Sequence, residues 1–142
     1  MINSRKLADL HPLVRAKAEE HLARCKEMGV DILVTSTYRD EESQNALYAQ
    51  GRTAPGPIVT KARGGQSFHQ YKVAYDVVPL RQGKPVWGTK PGPDLELWNL
   101  VGALGEAAGL EWAGQWRRMR EFPHFQFTGG HPLSYFQKGG KL

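Results

Sequence analysis

The residues that could do chemistry fall into two short clusters. Ser67-Phe68-His69 is followed by Asp76 seven residues beyond the histidine, and Glu121-Phe122-Pro123-His124 lies further along. Together they supply two imidazoles, one aspartate and a spare glutamate. Three such ligands, an open fourth position for water and a nearby general base are the inventory of a catalytic zinc site. If the clusters meet, the chain is a metallohydrolase. Each half has a plainer reading. Asp76 sits among Val73, Tyr75, Val77 and Val78, where a carboxylate is costly to bury without a partner. A metal is one partner and a buried arginine is another. Pro123 holds the backbone at His124 extended and rigid, which suits ligation, but a lone core histidine bonded to a carbonyl would look the same.

These residues need elements to carry them. Ser4 is expected to cap a short first helix bearing Leu7 and Leu10. His11-Pro12 then opens a second, whose stripe is Val14, Ala18, His21, Leu22 and Cys25 and whose stop is Gly29. Residues 30–35 are β-branched and apolar and read as a strand. Asp40 is placed to cap a helix over 41–50. Residues 51–66 form a long loop rich in glycine and proline, a length more typical of functional than of structural connections. Residues 73–79 alternate and read as a strand carrying Asp76, with Ala74 on the same face. Residues 81–93 form a second loop, with Trp87 near its middle and placed to line a groove. Asp94 is expected to cap a helix with Leu97, Trp98, Val101 and Leu104 on its buried face. Residues 112–120 have no clear assignment, 125–127 read as a short strand, and 128–142 as a polar C-terminal tail. This order of elements argues an α+β fold, and 142 residues suit a single domain over 1–142.

Composition narrows the rest. No apolar run approaches the roughly 18 residues of a membrane span, so no stable membrane insertion is expected. The N-terminal residues lack the apolar stretch of a signal peptide, which points to synthesis and retention in the cytoplasm. The net charge of +5 suits an anionic partner. Its one dense cluster is Arg117-Arg118-Met119-Arg120, without a basic helix or recognition motif, so nucleic-acid binding is not expected. A single cysteine, Cys25, excludes an internal disulfide and reads as a small buried thiol. His11, His21 and His131 read as structural, and Trp112 and Trp116 as packing beneath the second cluster.

At this point a resemblance becomes specific. Ser67-x-His69, with Ala74 and Asp76 at matching spacing, resembles the SxHxxGxAxD signature of the zinc D-Ala-D-Ala metallopeptidase superfamily, and Glu121-x-x-His124 resembles its second motif, (D/E)xxH. Upstream, Ser36-Thr37-Tyr38-Arg39, Gln44, Leu47-Tyr48, Gly51-Arg52-Thr53 and Pro55-Gly56 are similar to the phage L-alanyl-D-glutamate endopeptidases, which are endolysins. The resemblance implies a small antiparallel sheet flanked by helices, with a zinc site on the sheet face. It implies His69, Asp76 and His124 as Zn2+ ligands, Glu121 as general base, Arg39 as a donor to the scissile carbonyl or its oxyanion, and Ser67 beside the site against substrate or ligand. Lys72 departs from the signature, which has glycine there; if that position needs a positive φ, lysine is strained.

The resulting expectation is a zinc-dependent peptidoglycan peptidase that cuts stem peptides at the L-alanyl-D-glutamate bond. It would be a monomeric endolysin, held in the host cytoplasm until a holin opens the membrane and acting on the cell wall in the periplasm. The same site on a different substrate would be a D-alanyl-D-alanine carboxypeptidase or dipeptidase. From another class comes a catalytically silent, zinc-containing wall-binding module, for which Lys72 is the one supporting feature.

Overall fold

Apolar residues on both sides of one strand make β2 (Ala74–Arg81) the centre of the molecule in the computed structural model, which describes residues 1–142. β1 (Asp31–Ser36) pairs antiparallel along one edge of β2 and β5 (His124–Gln126) along the other, with β4 (Glu111–Trp112) outside β5. β3 (Lys84–Pro85) folds back on the far end of β2. The hairpin between them turns through Gln82 and Gly83, both at positive φ (54° and 76°), as a tight two-residue connection requires.

Side chains alternate across this sheet. Tyr75, Val77, Phe125 and Trp112 point into one core with Val14, Ala18 and Val101. Ala74, Asp76, His124, Gln126 and Glu111 occupy the other face, because Tyr75 is the register partner of Phe125, Asp76 of His124 and Glu111 of Gln126. One face stabilises the fold and the other presents chemistry.

Helices α1 (Pro12–Glu27) and α3 (Pro93–Ala107) cover the apolar face. His11 caps α1, its ring accepting from the Leu13 amide, and Pro12 opens the first turn. The buried stripe is Val14, Ala18, His21 and Cys25. α3 reaches the sheet closely because it carries glycine where it crosses aromatic rings. A Cβ on Gly102 would lie 2.2 Å from the Trp112 ring, and one on Gly105 would lie 2.5 Å from Phe125. Where the helices meet the sheet, His21 is wholly buried between the Tyr75 hydroxyl (2.7 Å) and the Val101 carbonyl (2.8 Å). A carbonyl only accepts, so Nε2 carries the proton and Nδ1 accepts from tyrosine.

Several local expectations need correction. The segment at Leu7–Asp9 is a single 3-10 turn without a side-chain cap; the Ser4 hydroxyl reaches Asp9 instead. Asp94 does not cap α3. Gly92 holds that position, and Asp94 in the first turn takes a 2.7 Å ion pair from Arg81. Residues 112–120 supply the end of β4 and a 3-10 turn, Ala113–Gln115. Residues 128–142 are not simply a polar tail. They form a short helix, α4 (Leu133–Gln137), that buries Phe136 against Phe68 and Tyr71, with ring centres 6.0 Å apart in each pair. Five residues are too few to show a helical period, so this was invisible in the pattern. Asp40 does cap α2 (Glu41–Ala49), accepting from the Ser43 amide at 2.8 Å. No helix is long and apolar enough to cross a membrane.

Candidate metal centre

Asp76 and His124 are direct register partners on adjacent strands, and cross-strand neighbours on one face lie about 5 Å apart at Cβ. His69 reaches the same point from the 3-10 turn Phe68–Tyr71. That turn is held at both ends. The Ser67 hydroxyl accepts from the His69 amide while Gln70 reaches back to the Ser67 amide, a capping box. At the other end Lys72 takes the left-handed conformation, φ 63° and ψ 25°. The position usually held by glycine therefore does need a positive φ here, and lysine adopts it at a cost of roughly 1–2 kcal/mol. Its ammonium lies 5.0 Å from the centre of the Tyr38 ring.

The ligating atoms converge. His69 Nε2 and His124 Nδ1 stand 3.3 and 3.2 Å from the same oxygen of Asp76, and the three ligand atoms all lie within 4.8 Å of one another. The far side of His69 makes this informative. Its Nδ1 is 2.7 Å from the Thr37 carbonyl, which can only accept, so Nδ1 bears the proton and Nε2 turns a lone pair toward Asp76. A lone pair facing a carboxylate calls for a proton or a metal ion between them. Two imidazole nitrogens and one carboxylate form a donor set that zinc takes readily. The three groups are also coupled through their charges, protonated rings favouring an ionised carboxylate. Burial alone would push the Asp76 carboxyl up, but His69 and His124 outweigh it and hold it well below the usual carboxylate range. Burial works to lower the His124 ring, and Asp76 outweighs it to leave it raised.

Glu121 and Arg39 flank this point. Glu121 is 57% exposed, with Oε2 3.7 Å from His124 Nδ1, so it stands at the rim. Arg39 is more buried, and its Nη2 is 4.0 Å from the second oxygen of Asp76. Gln44 Oε1 and Ser36 Oγ accept from its two terminal nitrogens at 2.9 and 3.0 Å. Burial pulls its pKa below the ordinary value, against the opposing charges of Asp76 and Glu121.

His69, Asp76, His124, Glu121, Arg39 and Gln44 line one groove of about 820 Å³. The loop over 51–66 forms one wall through Val59, Thr60 and Lys61, and Trp116 with Arg118 to Arg120 forms another. Gln44 ties the first wall to the site. It is buried, accepts from Arg39, and donates to the Ala62 carbonyl at 2.9 Å. Trp87 lines the groove and is 57% exposed; Ser67 also lines it while capping its turn. Trp98 is 1% exposed and also reaches the groove. Trp112 lies under the second cluster, its indole donating to the Phe122 carbonyl at 2.8 Å, and the Trp116 ring is 5.8 Å from that of His124. His131 stacks on Tyr135, outside the convergence. The sequence assigns no individual role to Thr37, Gln126 or Glu111. Gln126 had a signal, since it lies two residues beyond His124 in an expected strand and so on the same face. Thr37 acts through its carbonyl, which leaves no mark in a sequence.

A metallopeptidase is the class this fold and site define, and comparison with known proteins agrees. Residues 60–127 match the peptidase M15 family profile described as D-alanyl-D-alanine carboxypeptidase. The chain is 36% identical over 125 residues to peptidoglycan L-alanyl-D-glutamate endopeptidase CwlK of Bacillus subtilis, covering 84% of this chain and 74% of that protein. It is 28% identical over 141 residues to the L-alanyl-D-glutamate peptidase of Listeria phage A118, covering 96% of this chain but only 46% of the phage protein. Among solved structures, the L-Ala D-Glu endopeptidase ChiX of Serratia marcescens superposes with a TM-score of 0.64 at 20% identity over 89% of each chain. The chain belongs to the peptidase M15 family, within the zinc D-Ala-D-Ala peptidase superfamily.

Proposed function

We propose that this metallopeptidase is zinc-dependent and cleaves peptidoglycan stem peptides at the L-alanyl-D-glutamate bond. The observation that carries this reading is the convergence of His69 Nε2, His124 Nδ1 and the Asp76 carboxylate in an open groove, with Glu121 and Arg39 beside it. The choice of bond rests on the named activities of the Bacillus and phage relatives. The phage relative also supports an endolysin role, with the enzyme waiting in the host cytoplasm until a holin gives it access to the periplasmic wall.

His69, Asp76 and His124 would hold the ion. Bound there, zinc supplies Lewis acidity to water and to the scissile carbonyl. The chain's own groups do the rest. Glu121, solvated at the rim, is free to take a proton from the attacking water and deliver it to the leaving amine. Arg39 is locked by Gln44 and Ser36 with its fork toward the site, so its donors are in place before charge develops on the carbonyl oxygen. The groove walls bind the extended peptide on either side. Lys61, Arg118 and Arg120 add positive charge there, matched to the carboxylates of a stem peptide.

The family's description favours a second reading, release of D-alanine by carboxypeptidase action. A silent binding module has less support, because Lys72 closes its turn without displacing His69. One experiment separates all three. Purified peptidoglycan is digested with the wild type and with Glu121→Ala, and products are read by mass and by new amino termini. New D-glutamate amino termini from the wild type alone are expected. Free D-alanine would establish the carboxypeptidase, and no product from a zinc-loaded wild type would establish the binding module.

A further inference from the structure

His124 has a second nitrogen, and what it touches is organised. Gln126 follows on β5 two residues later and on the same face, and it is 4% exposed. Its Oε1 lies 2.8 Å from His124 Nε2. Its amide nitrogen donates at 2.9 Å to Glu111 Oε2, on the register partner in β4. The other Glu111 oxygen accepts from Thr128 at 3.1 Å. On the opposite side of Gln126, its register partner is Ala74, whose methyl leaves the amide room.

An amide can be turned end for end, and density of contacts alone does not decide which end faces a ring. Here the chemistry decides. The Glu111 carboxylate has no proton to give, so it must meet the NH₂ end of Gln126. The carbonyl end then faces His124, and a carbonyl only accepts. The imidazole proton is thereby confined to Nε2, and Nδ1 keeps its lone pair on the Asp76 side.

We infer that Glu111 and Gln126 form a positioning relay that sets the tautomer and ring direction of His124, and so its strength as a metal ligand. The inference rests on the reading of His124 as a ligand. Neither relay residue meets the reacting atoms. Glu111 lies at the surface, so a solvated charge governs a buried nitrogen through one neutral amide. Partners of this kind behind a ligating histidine are generally worth about 10- to 100-fold in metal affinity.

The test uses zinc affinity by chelator competition, with nitrogen-15 NMR of the His124 ring in metal-free protein at alkaline pH, where the ring is neutral. Gln126→Leu should weaken zinc by about 10- to 100-fold and mix the two ring tautomers. Glu111→Gln, at an exposed position that leaves folding intact, frees the amide to turn and should also mix the tautomers. The double exchange Glu111→Gln with Gln126→Glu rebuilds the chain, since a carboxylate at position 126 would accept from both neighbours. It should return the single Nε2–H tautomer and tight zinc, which a merely structural role for Gln126 does not predict. An unmixed tautomer in both single variants, or zinc affinity within about twofold of wild type in Gln126→Leu, overturns the relay. A wild type that binds no zinc ends the metal reading instead, and the metal-free spectra still decide whether the relay sets the ring.

Discussion

Asp76 is the residue on which the proposed metal site most depends. It is the oxygen donor to which both imidazoles point, and it stands between Arg39 and the strand partner His124. Replacing it with alanine should remove zinc and the stability that zinc confers, about 2.7 kcal/mol at a hundredfold excess over Kd. Melting curves with and without zinc measure this: the wild type should shift and Asp76→Ala should not. A variant with full zinc occupancy would remove Asp76 from the ligand set. Much of this was legible in the residues, because Asp76 and His124 are costly side chains among apolar neighbours and Glu121 and His69 stand at motif spacing from them. Glu111 was not legible. It is a surface glutamate in a two-residue strand, and only the β4–β5 register gives it meaning.

At the scale of elements, the α3–sheet contact depends on a glycine that helix propensity would reject. Alanine at position 102 should gain about 1 kcal/mol of intrinsic helicity. It must also place a methyl where the Trp112 ring stands, and overpacking of this kind costs about 1–3 kcal/mol. Trp112 cannot withdraw freely, since its indole holds the Phe122 carbonyl within the segment between Glu121 and His124. Gly102→Ala should therefore lower the denaturation midpoint and weaken zinc together. A variant more stable than wild type would show that Trp112 has room to move. Helices and strands with clear periods were readable in advance. The 3-10 turn at Phe68–Tyr71, the bulged end of β1 and the short α4 were not, because their geometry is imposed by what packs on them.

For the whole molecule, one buried base should make stability depend on pH. Burial pushes His21 down from 6.5 to about 4, against the pull of the Val101 carbonyl. The groups nearest it stay neutral: burial raises Tyr75 well above its ordinary value and Cys25 to about 11. Below about pH 6.5 the unfolded chain binds a proton at His21 that the folded protein refuses. Stability is thus full above that pH and falls as pH drops toward 4, by roughly 3 kcal/mol in all. Urea titrations of wild type and His21→Gln, both without metal, check this. The slope over that interval should shrink in the variant, and an equal slope would assign the pH dependence elsewhere.

Two segments outside the sheet, around Asn3 and around Phe136, have a further bearing. Asn3 bridges to Arg39, with backbone bonds from Ser4 to Thr37 and Tyr38 on either side, and Phe136 lies beneath the turn that presents His69. The Asn3–Ser4 segment and Phe136 therefore buttress the groove, and Phe136 does so from within the same apolar cluster as Val14 and Val101. Loosening either segment would free the backbone at Arg39 or the turn that carries His69. The groove would therefore register damage at positions far from it in sequence.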